Sequence, residues 1–175
     1  MTDEQLKYIA PLSSKTDREA YLKELNDLCP KYGIVGIELA AFVAQTAHES
    51  GGFHYLKEIA SGAAYEGRRD LGNIFKGDGV RFKGRGYIQI TGRSNYTMFR
   101  DWLGGQPDIV ANPQMIERPH LAMLASIWYW KHNNLSPIAL SDDFRLLTRK
   151  INGGMNGYAS RLAYYIKAKK ILKIE

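Results

Sequence analysis

Residues 36–58 read GIELAAFVAQTAHESGGFHYLKE. Ile37, Leu39, Ala40, Phe42, Val43, Ala44 and Ala47 make the first part apolar around most of a helical surface. That pattern predicts a central, buried helix from Gly36 to Ser50. Gly51-Gly52 stops it, because glycine adopts the left-handed conformation that closes helices. Glu49 falls in the last turn, and Glu58 lies nine residues on, beyond the break. The apolar setting and the negative end of the helix dipole both disfavour an ionised carboxylate at Glu49, which suits a general acid. Glu58 follows Lys57 in a polar stretch, where a carboxylate stays ionised and can act as a base on water. Two carboxyls in different surroundings across a break are what acid/base cleavage of a glycosidic bond requires. The competing reading is two surface glutamates flanking a helix stop.

The histidines invite a metal reading that the spacing does not support. His48-Glu49 opens like the HExxH zinc motif, but residue 52 is Gly and the next histidine is His54. The chain has 1 cysteine, Cys29, which excludes an intrachain disulfide and offers no ligand cluster. Cys29 is read as structural. No metal and no cofactor are expected. His48 is expected to be a hydrogen-bonding neighbour of the site, or a buried histidine with a satisfied partner.

Outside this stretch the pattern is mostly helical. The spacing predicts helices over Asp3–Ile9, over a segment capped by Thr16 or Asp17 and carrying Tyr21, Leu22, Leu25 and Leu28, and over Asn95–Leu103. It also predicts His120–His132, Asp142–Ile151 capped by Ser141, and Tyr158–Ile174. In the last, Leu162, Tyr165, Ile166, Ala168 and Leu172 are expected inward, and Lys167, Lys169, Lys170 and Lys173 outward. Between Ala60 and Gly84 the pattern weakens, and six glycines (62, 67, 72, 77, 79 and 84) punctuate it. Loops and short turns are expected there, forming a small lobe. No run of strands is predicted. The class is all-α or nearly so, in a single catalytic domain spanning residues 1–175.

The 175 residues include 11 Tyr and 3 Trp, and carry a net charge of +6. Such a basic chain suits nucleic acid, an anionic membrane or an anionic polymer such as bacterial wall. No nucleic-acid-binding motif is present, so that partner is not expected. The opening residues, MTDEQLKYIAPL, do not read as a signal peptide, and no apolar run reaches the ~18 residues of a membrane span. The expectation is a cytoplasmic product that something else must release if it acts outside.

Two further stretches carry polar groups in an apolar frame. In KGRGYIQITGRSNY (residues 83–96), Gly84 and Gly86 permit a tight backbone path around Arg85, and Gln89, Thr91 and Asn95 could line a groove. The same residues read equally as a Gly-rich turn entering a helix, with Gln89 and Asn95 as caps. The phosphate-loop patterns do not match. A threonine hydroxyl beside a carboxylate base can hold an attacking water in line. In INGGMNG (residues 151–157), Asn152 could bond a ligand amide or simply end a helix.

Taken in order, AHESGG, LKE, GRGYIQITGRSNY, and INGG followed by Arg161 resemble glycoside hydrolase family 19, which holds chitinases and phage or bacterial peptidoglycan-cleaving lysozymes. The matching pieces span roughly Phe42 to Tyr165. The resemblance implies a lysozyme-like helical fold with a groove between lobes, and an inverting mechanism. Glu49 matches the general acid, Glu58 the general base, and Thr91 the hydroxyl that positions the water. Gln89, Asn95 and Asn152 match substrate-contacting positions. Arg161 matches an arginine that organises the carboxylates, and His48 the histidine beside the acid. Tyr87 stands where the chitinase motif usually has proline, and the loops between the glutamates and before Gly84 are shorter than in chitinases.

The expected function is therefore that of a phage endolysin: a monomeric muramidase cleaving peptidoglycan glycan strands between N-acetylmuramic acid and N-acetylglucosamine. It would lyse the host from the cytoplasm once released, and its basic face would be drawn to anionic wall or membrane groups. A chitinase on the same scaffold, a lytic transglycosylase and a non-catalytic wall-binding module are the rival readings.

Overall fold

The computed structural model describes residues 1–174. Among them are α1 (Asp3–Ile9), α2 (Lys15–Leu28), α3 (Gly36–Glu49), α4 (Asp78–Arg81), α5 (Arg93–Trp102), α6 (Pro119–His132), α7 (Ser136–Leu140), α8 (Phe144–Asn152) and α9 (Tyr158–Leu172). Extended pairing among the described residues is confined to two isolated antiparallel bridges, Lys57 with Arg85 and Arg85 with Ile90. The fold is all-α, as the hydrophobic periodicity predicts. The chain divides into two compact units, Met1–His54 with Trp130–Glu175, and Tyr55–Tyr129.

In the first unit α3 packs most extensively against α9, and α1, α2, α7 and α8 complete the core. Phe42, Val43, Ala44 and Ala47 of α3 are buried with Leu6, Tyr21, Trp130 and Leu147. Burying each large side chain contributes ~1.5–3 kcal/mol. The helix is not uniformly apolar. Glu38 is buried, and its Oε1 accepts hydrogen bonds from Trp130 Nε1 (2.9 Å), Ser136 Oγ (2.6 Å) and Lys131 Nζ (3.1 Å). Three donors compensate the desolvation of that carboxylate. Cys29 is fully buried, and burial pushes its thiol up to about 12, consistent with an inert structural cysteine.

Several helix ends differ from expectation. Ser14, rather than Thr16 or Asp17, caps α2, its side chain accepting from the Asp17 N–H at 3.1 Å. Asp143, rather than Ser141, caps α8 and accepts from the Leu146 N–H at 2.8 Å. Ser141 instead closes α7, donating to the Ile138 carbonyl at 2.9 Å, and this one-turn helix is too short for periodicity to reveal. In α9 the inward stripe is Arg161, Tyr165 and Ala168, spaced at helical periodicity. Ile166 lies about 100° around the helix from Tyr165 and is 59% exposed, contrary to its predicted inward position.

In the second unit, the loop-rich segment 60–84 contains two single turns, Ala63–Tyr65 and Arg69–Leu71, and α4. Ion pairs and backbone bonds order it. Asp78 is 1% exposed, pairs with Arg93 at 2.6 Å, and accepts from the Ile74 and Phe75 N–H groups. The Arg93 guanidinium beside it holds the Asp78 carboxyl below the usual carboxylate range. Buried Arg85 donates to Glu117 (2.8 Å), the Arg81 carbonyl (2.8 Å) and the Tyr96 hydroxyl (3.0 Å).

Candidate active site

Glu49 is the last residue of α3, and the turn that follows is fixed on every side. Gly51, Gly52 and Phe53 all have positive φ (59°, 78° and 72°). Glycine accommodates this freely, whereas Phe53 is held there by contacts. Its N–H donates to Ser50 Oγ at 2.9 Å, its ring stacks on Tyr21 at 4.0 Å, and the Tyr21 hydroxyl bonds Thr46 at 2.7 Å. The carboxylate is thus presented from a rigid helix end.

Its surroundings are not the apolar setting expected. Glu49 Oε1 pairs with Arg161 Nη2 at 2.6 Å, the two side chains being 20% and 1% exposed. Arg161 also donates through Nη1 to Gln45 Oε1 at 2.6 Å and through Nε to the Asn156 carbonyl at 3.3 Å. Gln45 lies one helical turn before Glu49, so both present the same face of α3 to the arginine. Glu49 Oε2 carries no hydrogen bond among the described residues. His48 is half-buried, and its Nδ1 lies 3.1 Å from Ser160 Oγ. Burial, with Arg161 nearby, pushes the imidazole below its ordinary value, so it is neutral at pH 7. Gly157 closes over this ring, and a Cβ there would overlap the imidazole.

Glu58 is held by pairing between residues 56–58 and 84–86. Its N–H donates to the Gly84 carbonyl at 2.9 Å, and the Gly86 N–H donates to the Leu56 carbonyl at 3.0 Å. The chain then turns back on itself: the Arg85 and Ile90 backbones exchange hydrogen bonds of 3.1 and 3.0 Å around a turn with positive φ at Gly86 and Gln89. This arrangement brings the carboxylate against the GRG segment. Oε1 accepts from the Tyr65 hydroxyl and Oε2 from the Gly84 N–H, each at 3.0 Å. Burial and the neighbouring Glu58 carboxylate push the Tyr65 phenol up, so the phenol keeps its proton and donates. A Cβ at Gly84 would sit 2.9 Å from Gln89 Oε1 and 3.2 Å from Glu58 Oε2. Only glycine leaves that space open.

The remaining sequence-derived residues are tied to backbone. Gln89 donates to the Gly86 and Tyr55 carbonyls at 2.7 and 3.1 Å, and its amide oxygen lies beside Gly84. Thr91 donates to the Gln89 carbonyl at 3.0 Å rather than to Glu58. Asn95 donates to the Thr91 carbonyl at 2.8 Å and fixes that residue from α5. Asn152 ends α8, where its Oδ1 accepts from the Asn156 N–H at 3.2 Å. The structure brings Glu49, His48, Arg161 and Asn152 into one unit, and Glu58, Gln89, Thr91 and Asn95 into the other. Sequence reasoning missed Gln45, Thr148 and Tyr65. A glutamine on a buried helical face was the one available signal, because such an amide requires partners. Replacing Tyr65 with Phe removes one of the two side-chain anchors of Glu58. Turnover is expected to fall about ten-fold, with a stability loss near ~1 kcal/mol, in steady-state assays paired with thermal melts.

Residues 34–142 match the family 19 glycosyl hydrolase model described as chitinase class I. A Haemophilus influenzae protein described as a glycosyl hydrolase family 19 domain-containing protein is 32% identical over 162 residues, covering 74% of this chain and 77% of that one. An endochitinase of Arabidopsis thaliana is 37% identical over 144 residues, covering 78% of this chain and 48% of the plant protein. The chain thus spans about half the length of that plant relative. Among solved structures, chitinase C from Streptomyces griseus aligns with a TM-score of 0.72 and 25% identity, over 99% of this chain and 76% of that one. A class IV chitinase from Zea mays has the same fold, with a TM-score of 0.71 and 22% identity, over 100% of this chain and 94% of that one. The chain belongs to glycoside hydrolase family 19.

Proposed function

We propose that this family 19 hydrolase cleaves the glycan strand of bacterial peptidoglycan between N-acetylmuramic acid and N-acetylglucosamine, with inversion, as a phage endolysin. The observation that carries the chemistry is the contrast between the two carboxylates. Glu49 is bonded on one oxygen by a buried guanidinium and open on the other, whereas Glu58 is held on both oxygens by neutral donors. Glu49 delivers a proton from its open oxygen to the glycosidic oxygen. After the transfer it is a carboxylate, and the ion pair with Arg161 holds that charge. Glu58 takes one proton from water as its oxygen attacks the anomeric carbon, while the Thr91 hydroxyl oxygen accepts a hydrogen bond from the water's other O–H and aligns the attack. Inversion calls for a carboxyl separation of ~6.5–9.5 Å in the working enzyme. Gln89, Asn95, Asn152 and His48 contact the sugar or hold the groups that do.

The net charge of +6 and the tyrosine at position 87 support the anionic wall polymer as substrate. In this reading the enzyme accumulates in the host cytoplasm as a monomer, is released to the wall, and is drawn to anionic groups by its basic face. Chitin is the second reading, favoured by relatives whose names are those of chitinases. Digesting purified peptidoglycan and chitin oligomers side by side, with mass spectrometry of the new ends, separates the two. Wall lysis with reducing N-acetylmuramic acid ends is expected. Efficient chitin cleavage without wall lysis would overturn the choice, and anhydro-sugar ends would indicate a lytic transglycosylase.

A further inference from the structure

We infer that Gln45 and Thr148 are positioning residues that set the direction of the arginine acting on Glu49, an inference that rests on the proposed role of Glu49 as the acid. Three observations support it. Gln45 and Thr148 are 0% exposed and Arg161 1%. Hydrogen bonds join Thr148 to Gln45 and Gln45 to Arg161, and the Arg161 ion pair carries the chain to Glu49. The order of donors and acceptors along that chain permits a single arrangement.

The order is fixed from the far end. The Thr148 hydroxyl has one proton and donates it to the Phe144 carbonyl at 2.9 Å. Its oxygen therefore accepts from Gln45, whose Nε2 lies 3.0 Å away. That contact turns the Gln45 carbonyl oxygen toward Arg161 Nη1, at 2.6 Å. A flipped amide would set Nε2 against Nη1, donor against donor, in a buried site. With Nη1 held by Gln45 and Nε by the Asn156 carbonyl, the guanidinium plane is fixed and Nη2 reaches Glu49 Oε1.

The pattern also explains why residue 45 is a neutral amide. A carboxylate there would compete with Glu49 for the single guanidinium charge. Glutamine accepts from the arginine without taking its charge. Fully satisfied buried networks of this kind hold one geometry, because every alternative leaves a polar group unpaired. The catalytic consequence is that Arg161 stays on one oxygen of Glu49 and leaves the other for the glycosidic oxygen.

The test compares Thr148→Val, Thr148→Ser and Gln45→Met with wild type, assayed on peptidoglycan well below each melting temperature. Thr148→Val keeps the shape and removes the hydroxyl, and kcat is expected to fall about ten-fold with KM within about two-fold. Thr148→Ser is expected to restore kcat. The double variant Gln45→Met with Thr148→Val is expected to lose no more than Gln45→Met alone, because Thr148 acts through the amide. A kcat for Thr148→Val within about two-fold of wild type, or additive losses in the double variant, would overturn the inference. A purely structural threonine would lower the melting temperature and leave kcat unchanged. Where Thr148→Val yields no folded protein, Gln45→Met decides alone on the same kcat criterion. Glu49→Gln in the same assay separates the failures: activity there overturns the assignment of the acid, whereas an inactive Glu49→Gln beside an unaffected Thr148→Val overturns only the positioning role.

Discussion

Glu49→Gln is expected to reduce glycan cleavage by roughly 10³-fold while leaving the fold intact, since general acid catalysis contributes ~10²–10⁴. The substitution keeps the length and shape of the side chain. Its carbonyl oxygen can still accept from Arg161 Nη2, which lies 2.6 Å from the native Oε1. What it removes is an ionisable group: the acid form's transferable proton, and the ionised form's negative charge, which answers a guanidinium only 1% exposed. Arg161 retains Gln45 and the Asn156 carbonyl as acceptors, so the buried cation is not stranded. The stability cost is therefore placed at ~1–3 kcal/mol, below the range for a buried pair broken outright. Wall turbidity clearance with a thermal melt on the same preparation checks both numbers. Activity within ten-fold of wild type in a folded Glu49→Gln would remove Glu49 from the chemistry.

Why the α3 end could be read from sequence, and its electrostatics could not, follows from the range of the interactions involved. The apolar run from Ile37 to Ala47 and the Gly51-Gly52 stop are local, and they place Glu49 at the helix end seen in the structure. The arginine that faces it comes from α9 and was indicated only by the family motif, and the apolar setting expected around Glu49 is instead a charged one. The amide that orients this arginine is bonded to a threonine 103 residues away. No window of sequence contains that pairing. The helix caps failed for the opposite reason. Ser14, Thr16 and Asp17 all have capping side chains, as do Ser141 and Asp143, and local pattern cannot rank neighbours whose choice depends on where the preceding chain arrives. The family motifs were legible because they are short and contiguous. Their consequence, a carboxylate bonded to the backbone of Gly84, needed single-residue bridges that leave no alternating pattern to detect.

Glu58→Gln is expected to lower kcat by ~10²-fold or more, and the reason divides into two parts that can be measured separately. The first is loss of the base, which leaves water without an acceptor for its proton. The second is local. The native carboxylate accepts on both oxygens, from Tyr65 and from the Gly84 N–H. An amide has one oxygen, so its NH₂ must face one of those donors, at a cost of ~1–3 kcal/mol if the contact stays buried. Tyr65→Phe removes the donor to Oε1 without touching the base, so it isolates the positioning part. In the Tyr65→Phe background, Glu58→Gln is expected to be less disruptive to stability than in the wild type, while its effect on kcat persists. The stereochemistry then decides the role. A base acting on water at the opposite face of the sugar gives an inverted anomer, visible by NMR before mutarotation, and the residual activity of Glu58→Gln should give the same anomer more slowly. A one-carboxyl transglycosylase needs no water, so Glu58→Gln would leave its rate unchanged and its products would carry anhydro ends. An unchanged rate with an intact fold would leave Glu49 as the single catalytic carboxyl and reduce Glu58 to a bracket holding the GRG turn.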